Sequence, residues 1–310
     1  MTSSSDASVV SQALRIARED PQALLVVVGP TASGKTGLAV ALAEQLVGPG
    51  GCGEIVSADS VQIYRGFDVG SGKPSPEENA RAPHHLVSAI EPLEPMDAAS
   101  WAALASRAID DVRARGRVPI VCGGTFLWIK ALLYGLAETP AASQELRDRL
   151  RAVAESEGRP ALHARLREVD PESAARLHPN DLVRVSRALE VWELTGKPMS
   201  AWQREHAFAL ERHRARLLAI ARDPGTLTER IQERVRAWLA GGWIEEVEAL
   251  LARGYGDARA MSSVGYAQVR AMLAGELPRE ELEGAIVRAT RVFARRQRTW
   301  LNHVDVERLA

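Results

Sequence analysis

The sequence predicts an α/β fold, a parallel-sheet core interrupted by a helical insertion. Runs at residues 23–28, 54–58 and 118–122 read as strands buried on both faces. Helix-forming stretches alternate with them, which is the mark of a parallel sheet. From about Pro140 to His206 the strand pattern vanishes and charged helical stretches take over. At 310 residues the chain has room for one large domain or two modest ones. The expected organisation is a disordered Ser-rich tail over 1–21, a core over 22–139 and 208–310, and a helical insertion over 140–207.

Taken in order, the strand at 23–28 runs into Gly29, Pro30, Thr31, Ala32, Ser33, Gly34, Lys35 and Thr36. This stretch fits the phosphate-loop pattern G-x-x-x-x-G-K-[ST] at every fixed position. A helix over 37–46 follows, so backbone N–H groups and the positive helix end face a phosphate. Lys35 would neutralise phosphate charge and the Thr36 hydroxyl would ligate Mg²⁺. The expected fold class is therefore a P-loop NTPase-like parallel sheet core with a helical insertion domain.

The strand at 54–58 ends at Asp59-Ser60. A helix over 98–115 leads to the strand at 118–122, which runs into Gly123-Gly124-Thr125 and a helix over 126–133. Charged helices at 144–157, 161–169 and 182–194 make the insertion, and a last strand at 217–221 resumes the core. Ligands of open α/β sheets sit off the carboxyl ends of the strands. Lys35, Asp59 and Thr125 each follow such an end, so they should converge. A carboxylate at Asp59 is a base, a Mg²⁺ ligand or a helix cap. The strand at 118–122 ends in Cys122, not a carboxylate, and no Asn-Lys-x-Asp occurs. A motor ATPase or GTPase switch is disfavoured.

Net charge is −1, so any nucleic-acid site must be a local basic patch. The stretch 282–300 supplies one. Leu282, Ile286, Ala289 and Phe293 form an apolar stripe, with Arg288, Arg291, Arg295 and Arg298 on roughly the opposite face. No acid lies between 288 and 300, which favours a polyanion footprint over a solvated face. Arg296 falls near the apolar side and is expected to face the crevice, and Trp300 is a candidate for base stacking. Arg184 and Arg187 either hold one phosphate or pair with Glu190. His84-His85 lack a third ligand, so packing is the expected role. Cys52 and Cys122 form neither a disulfide framework nor a zinc spacing, and no apolar run approaches the ~20 residues of a membrane helix. A cytoplasmic monomer is expected.

Together these pieces resemble the tRNA dimethylallyltransferase family. The resemblance rests on residues 29–36, on Asp59-Ser60-Val61-Gln62 through Gly70, and on Ala82-Pro-His-His-Leu86. It extends through Cys122-Gly-Gly-Thr125, His178-Pro-Asn-Asp181 with Arg184 to Glu190, Val264-Gly265-Tyr266, and Arg295-Arg296-Gln297-Arg298-Thr-Trp300. It implies transfer of a dimethylallyl group from dimethylallyl diphosphate to N6 of the adenosine 3′ to the anticodon, in tRNAs reading codons that begin with U. Residues 29–36 would hold the diphosphate with Mg²⁺, Lys35 would stabilise the leaving group, and Asp59 would take the N6 proton. Thr125 would orient the reacting groups. Asp59 to Gln62, Arg184, Arg187, Val264 to Tyr266, Arg295 to Arg298 and Trp300 would contact a tRNA anticodon stem-loop whose adenosine is flipped out. The chain departs from the family pattern at Ser88, Pro224, Ala267 and Asn302. A small-molecule kinase and an isopentenyltransferase of free adenylate share the loop and are the alternatives.

Overall fold

The computed structural model describes residues 4–310. The chain divides into two compact units, one formed by the chain up to Leu133 with Arg212–Ala310, the other by Tyr134–Glu211. The first unit holds six strands: β1 Leu24–Val28, β2 Glu54–Ala58, β3 His84–His85, β4 Pro119–Gly123, β5 Ala215–Ile220 and β6 Glu307–Leu309. All pair in parallel, in the order β3-β2-β4-β1-β5-β6. The α/β class expected from the apolar runs is the class observed. Strands β3 and β6 went unpredicted because two or three residues at a sheet edge leave no periodicity.

The register places the site. Val28, Gly123 and Ala58 are side by side, since Val28 pairs with Gly123 and Ala58 pairs with Gly123. Three strands thus end in one layer, and whatever follows them emerges together. One face of the sheet buries Leu25, Val27, Ile55, Ile120, Leu218 and Ile220. The intervening residues Val26, Val28, Val56 and Val121 point to the other face and are equally buried. That double burial is why the strands read as continuous apolar runs.

Helix α1 (Ser4–Glu19) corrects the expected disordered tail, while residues 1–3 lie outside the described residues. Val9, Ala13, Ile16 and Ala17 recur at helical spacing and are buried with α2 (Lys35–Gln45) and the sheet. The stripe was hidden by the Ser-rich composition around it. Next come α3 (Pro76–Arg81), α4 (Ala98–Ala114) and α5 (Phe126–Tyr134). Trp101 of α4 stacks on Trp128 of α5 with centroids 5.2 Å apart, and donates its indole N–H to the Ser57 carbonyl at 3.1 Å.

The second unit holds α6 (Gln144–Ser156), α7 (Arg159–Val169), α8 (Pro171–Arg176), α9 (Leu182–Thr195) and α10 (Met199–His206). Leu150, Leu162, Leu166, Val185 and Leu189 form its own core. The fully buried Glu190 is its polar centre. It accepts from the Ser143 N–H at 2.6 Å, from Arg187 at 2.6 Å and from Arg147 at 3.2 Å. The first unit then closes with α11 (Pro224–Ala240), α12 (Trp243–Ala252), α13 (Tyr266–Leu273) and α14 (Leu282–Leu301). Among the described residues no helix is long and apolar enough to cross a membrane.

Candidate active site

A cavity of about 590 Å³ opens at the carboxyl ends of β1, β2 and β4. Thr31, Ala32, Gly34, Lys35 and Thr36 line one part of it, Asp59 to Gln62 another, and Gly123 to Thr125 a third. The three sequence-predicted groups Lys35, Asp59 and Thr125 are therefore together. The phosphate loop needs unusual backbone. Gly34 sits at φ 94° as the N-cap of α2, and Ala32 tolerates φ 65° inside the loop. The hydroxyl of Ser33, fully buried, has no hydrogen-bond partner.

Burial pushes the Lys35 ammonium below its usual pKa, Asp59 opposes that shift, and Arg234 adds to it. An anion arriving at the loop would favour the charged form. Asp59 divides its carboxylate between two jobs. Oδ1 accepts from the N–H groups of Val61 at 2.9 Å and Gln62 at 3.2 Å, which closes a turn and not the helix cap the sequence allowed, since no helix lies between β2 and α3. Oδ2 has no hydrogen bond among the described residues and is free to accept a proton. The Thr125 hydroxyl oxygen accepts from the Ser60 N–H at 3.1 Å, so β4 fixes the turn that carries Asp59.

The other wall comes from α11 to α14 and is largely apolar, with Ile231, Val235, Trp238, Trp243, Val264 and Ile286. Two arginines on α11 were not singled out from the sequence. Arg234 Nη1 donates to the Thr31 hydroxyl at 3.3 Å, and Arg230 lies against Gly34, where an added Cβ would sit 3.6 Å from its Nη1. Arg230 Nη1 is buried without a hydrogen-bond partner among the described residues. Burial and the neighbouring Arg230 both lower the Arg234 pKa. Glu78 offsets part of that shift, but among the described residues neither guanidinium is ion-paired with a carboxylate, and two adjacent cations favour an anion beside them. Their i, i+4 spacing on a helix was the available signal.

Several residues expected to touch RNA are taken up inside the first unit. Gln297 is only 4 % exposed and bonds to the phosphate loop and to Gly124. Tyr266 is fully buried, and its hydroxyl donates to Glu246 Oε1 at 2.6 Å. Burial, with the Glu246 carboxylate beside it, raises its pKa. Gly265, at φ 93°, lies so close to Trp243 that an added Cβ would fall 2.1 Å from the indole. Gln62 lines the cavity, yet its side chain is held by Ser57, Ser71 and Gly72. Trp300 stacks one face of its ring on Phe126, with centroids 4.0 Å apart and planes 6° from parallel.

Within the second unit, Arg187 is bound to Glu190, Thr139 and the Pro140 carbonyl, whereas Arg184 is 74 % exposed. They do not form one phosphate clamp. On α14 the buried face carries Leu282, Ile286, Ala294, Gln297 and Leu301, so Phe293 is 41 % exposed and Arg296 faces solvent. Helix α14 is rotated from the expected stripe toward Ala294 and Leu301, because Gln297 finds partners inward. Arg288, Arg291, Arg295 and Arg298 are exposed and have no ion pair among the described residues. His84 and His85 diverge, one to the Ala82 carbonyl and one to Glu54, and no metal-binding cluster of His, Cys, Asp or Glu occurs among the described residues.

The fold and the cavity define a phosphate-loop α/β enzyme whose cradle faces a free carboxylate and an apolar wall. The chain matches the family described as IPP transferase over residues 62–304 and that described as isopentenyl transferase over residues 22–83. It is 63 % identical over 295 residues to the tRNA dimethylallyltransferase of Sorangium cellulosum, covering 95 % of this chain and 92 % of that one. It is 54 % identical over 278 residues to that of Anaeromyxobacter dehalogenans, covering 90 % and 91 %. The crystal structure of the tRNA isopentenylpyrophosphate transferase of Bacillus halodurans aligns with a TM-score of 0.65 at 34 % identity, covering 93 % of this chain and 89 % of that one. A eukaryotic dimethylallyltransferase acting on tRNA aligns with a TM-score of 0.72 at 25 % identity, covering 92 % and 73 %. The chain belongs to the IPP transferase family.

Proposed function

We propose that this protein transfers the dimethylallyl group of dimethylallyl diphosphate to N6 of the adenosine 3′ to the anticodon in tRNAs reading codons that begin with U. The observation that carries the reading is the meeting of phosphate loop, free carboxylate oxygen and apolar wall in one cavity. The diphosphate lies on the loop, with Lys35, Arg230 and Arg234 around it. The prenyl tail lies along the apolar wall. The adenine amine approaches from the side of Asp59.

In the reaction the N6–C1 bond forms, the C1–O bond breaks, and the diphosphate keeps the bonding pair. Lys35 and Arg234 stabilise the charge that builds on that oxygen, as an oxyanion site does. Asp59 Oδ2 accepts the N6 proton. The Thr125 hydroxyl accepts from the Ser60 N–H and donates to the Ser60 hydroxyl at 3.4 Å, a long bond it would exchange for one to the amine or the bridging oxygen. The chemistry of the donor fits Mg²⁺, since the Thr36 hydroxyl lines the cavity and is a hard oxygen without a hydrogen bond among the described residues. Held by Thr36, the ion would supply further neutralisation of the diphosphate. The exposed arginines of α14 supply phosphate contacts to the anticodon stem-loop.

The test is mass spectrometry of tRNA incubated with protein, dimethylallyl diphosphate and Mg²⁺. A gain of one prenyl group on U-reading tRNA is expected, and no gain overturns the reading. Asp59→Ala should lower turnover by about 10²–10⁴-fold with tRNA binding retained. Normal turnover in that variant would remove Asp59 as the base.

A further inference from the structure

Helix α14 joins the two sides of the cavity through one buried amide. Gln297 Oε1 accepts from the Thr31 N–H of the phosphate loop at 2.9 Å. Its Nε2 donates to the Gly124 carbonyl at 3.0 Å. An added Cβ at Gly124 would lie 2.3 Å from Gln297 Nε2, so a larger residue there would displace the amide. The next residue, Thr125, holds the Ser60 N–H at 3.1 Å, and Ser60 follows the carboxylate of Asp59. An unbroken path therefore runs from the leaving-group cradle, through Gln297, to the turn that carries the base.

Resting on the proposed prenyl transfer, we infer that Gln297 is a positioning residue that sets the separation of diphosphate and acceptor. It touches neither. It acts through Thr31 on one side and through Gly124 and Thr125 on the other. The chemistry suits the task, since a carboxamide accepts and donates from one rigid plane. The Thr31 N–H is thereby turned to the helix, which fixes the edge of the loop before any phosphate arrives. A displacement of about 1 Å between reacting groups costs roughly 10²-fold in rate.

Two variants test this. Gln297→Met keeps the length and removes both bonds. Its kcat should fall by roughly 10²-fold. The KM for tRNA and the affinity for Mg²⁺-inorganic diphosphate, titrated calorimetrically, should each change by less than about 3-fold, because no substrate contact is lost. Gln297→Glu still accepts from Thr31 as a carboxylate but cannot donate to Gly124. Once protonated it regains the donor.

Its activity relative to the unsubstituted protein at the same pH should therefore climb at least about 5-fold from about pH 8 to about pH 6, while that of Gln297→Met stays level. Lys35, Asp59, Lys73, Glu78, His84, Cys122 and Arg234 line the same cavity and are common to all three proteins, so the ratio isolates residue 297. A Gln297→Met enzyme with unaltered kcat overturns the inference. So does a parallel loss of kcat and diphosphate affinity in both variants with no pH dependence of the ratio, which is what a purely structural role would give. An unsubstituted protein with no prenyl transfer fails the proposed function instead.

Discussion

Helix α14 and the second unit are both rich in arginine, and they use it in opposite ways. In the second unit Arg147 and Arg187 meet Glu190, Arg149 meets Glu193, Arg165 meets Glu157 and Arg204 meets Glu172. On α14, Arg288, Arg291, Arg295 and Arg298 meet no acid among the described residues. The charges of the first set are spent within the fold. Those of the second are held against mutual repulsion, which a polyanion would relieve. Pairing, and not the number of arginines, separates a structural cluster from a phosphate footprint.

The largest expected effect bears on the paired set. Glu190→Ala removes the carboxylate on which a backbone N–H and two guanidinium groups converge, and should lower stability by about 3–5 kcal/mol. Loss of amide-exchange protection in α6 and α9 measures it, and unaltered protection would mean that the second unit does not depend on its ion pairs. Next comes the unpaired set. Replacing Arg288, Arg291, Arg295 and Arg298 by Ala should flatten the log–log salt dependence of stem-loop binding by roughly 3. Between about 50 and 200 mM salt the unsubstituted protein would then lose about 50-fold more affinity than the variant. Thermal stability should barely move, and an unchanged salt slope would erase the contrast.

A smaller effect appears in acid. Burial raises the Glu190 carboxyl, but Arg187, the Ser143 N–H and Arg147 outweigh it and hold its pKa below the ordinary value of 4.5. Its contribution is present above pH 4.5 and is lost as pH falls from there through the lower folded value. Acid unfolding of Glu190→Gln should lack that portion. The smallest change is expected from Arg184→Ala. That side chain is 74 % exposed and 3.5 Å from Asp181, so stability should shift by less than about 0.5 kcal/mol. A fall of roughly 1 in the salt slope would sharpen the comparison by adding α9 to the RNA footprint.

Much of this was legible in the sequence, for local reasons. The phosphate loop is contiguous, so eight residues announce it. Asp59 and Thr125 follow buried strands, and the rule that parallel strands present their carboxyl ends together brought them to the loop. The orientation of α14 was not legible. The spacing put Phe293 in the apolar stripe and the resemblance put Gln297 against tRNA, whereas Gln297 is satisfied by two backbone groups from distant segments. The same limit applies to Tyr266, whose burial rests on Glu246, and to Trp300, whose partner Phe126 is remote in sequence. Arg230 and Arg234 were visible as a pair, but only the packing of α11 on the loop gives them meaning.

The bond from Thr31 to Gln297 spans 266 positions of the chain. At about 5–20 residues per second of synthesis, the phosphate loop is made roughly 13–50 s before its brace exists. Strand β1 also waits, since one of its neighbours begins at Ala215. During biosynthesis the loop is therefore braced by a residue made much later than itself, and a newly made chain lacks that brace until Gln297 has left the ribosome.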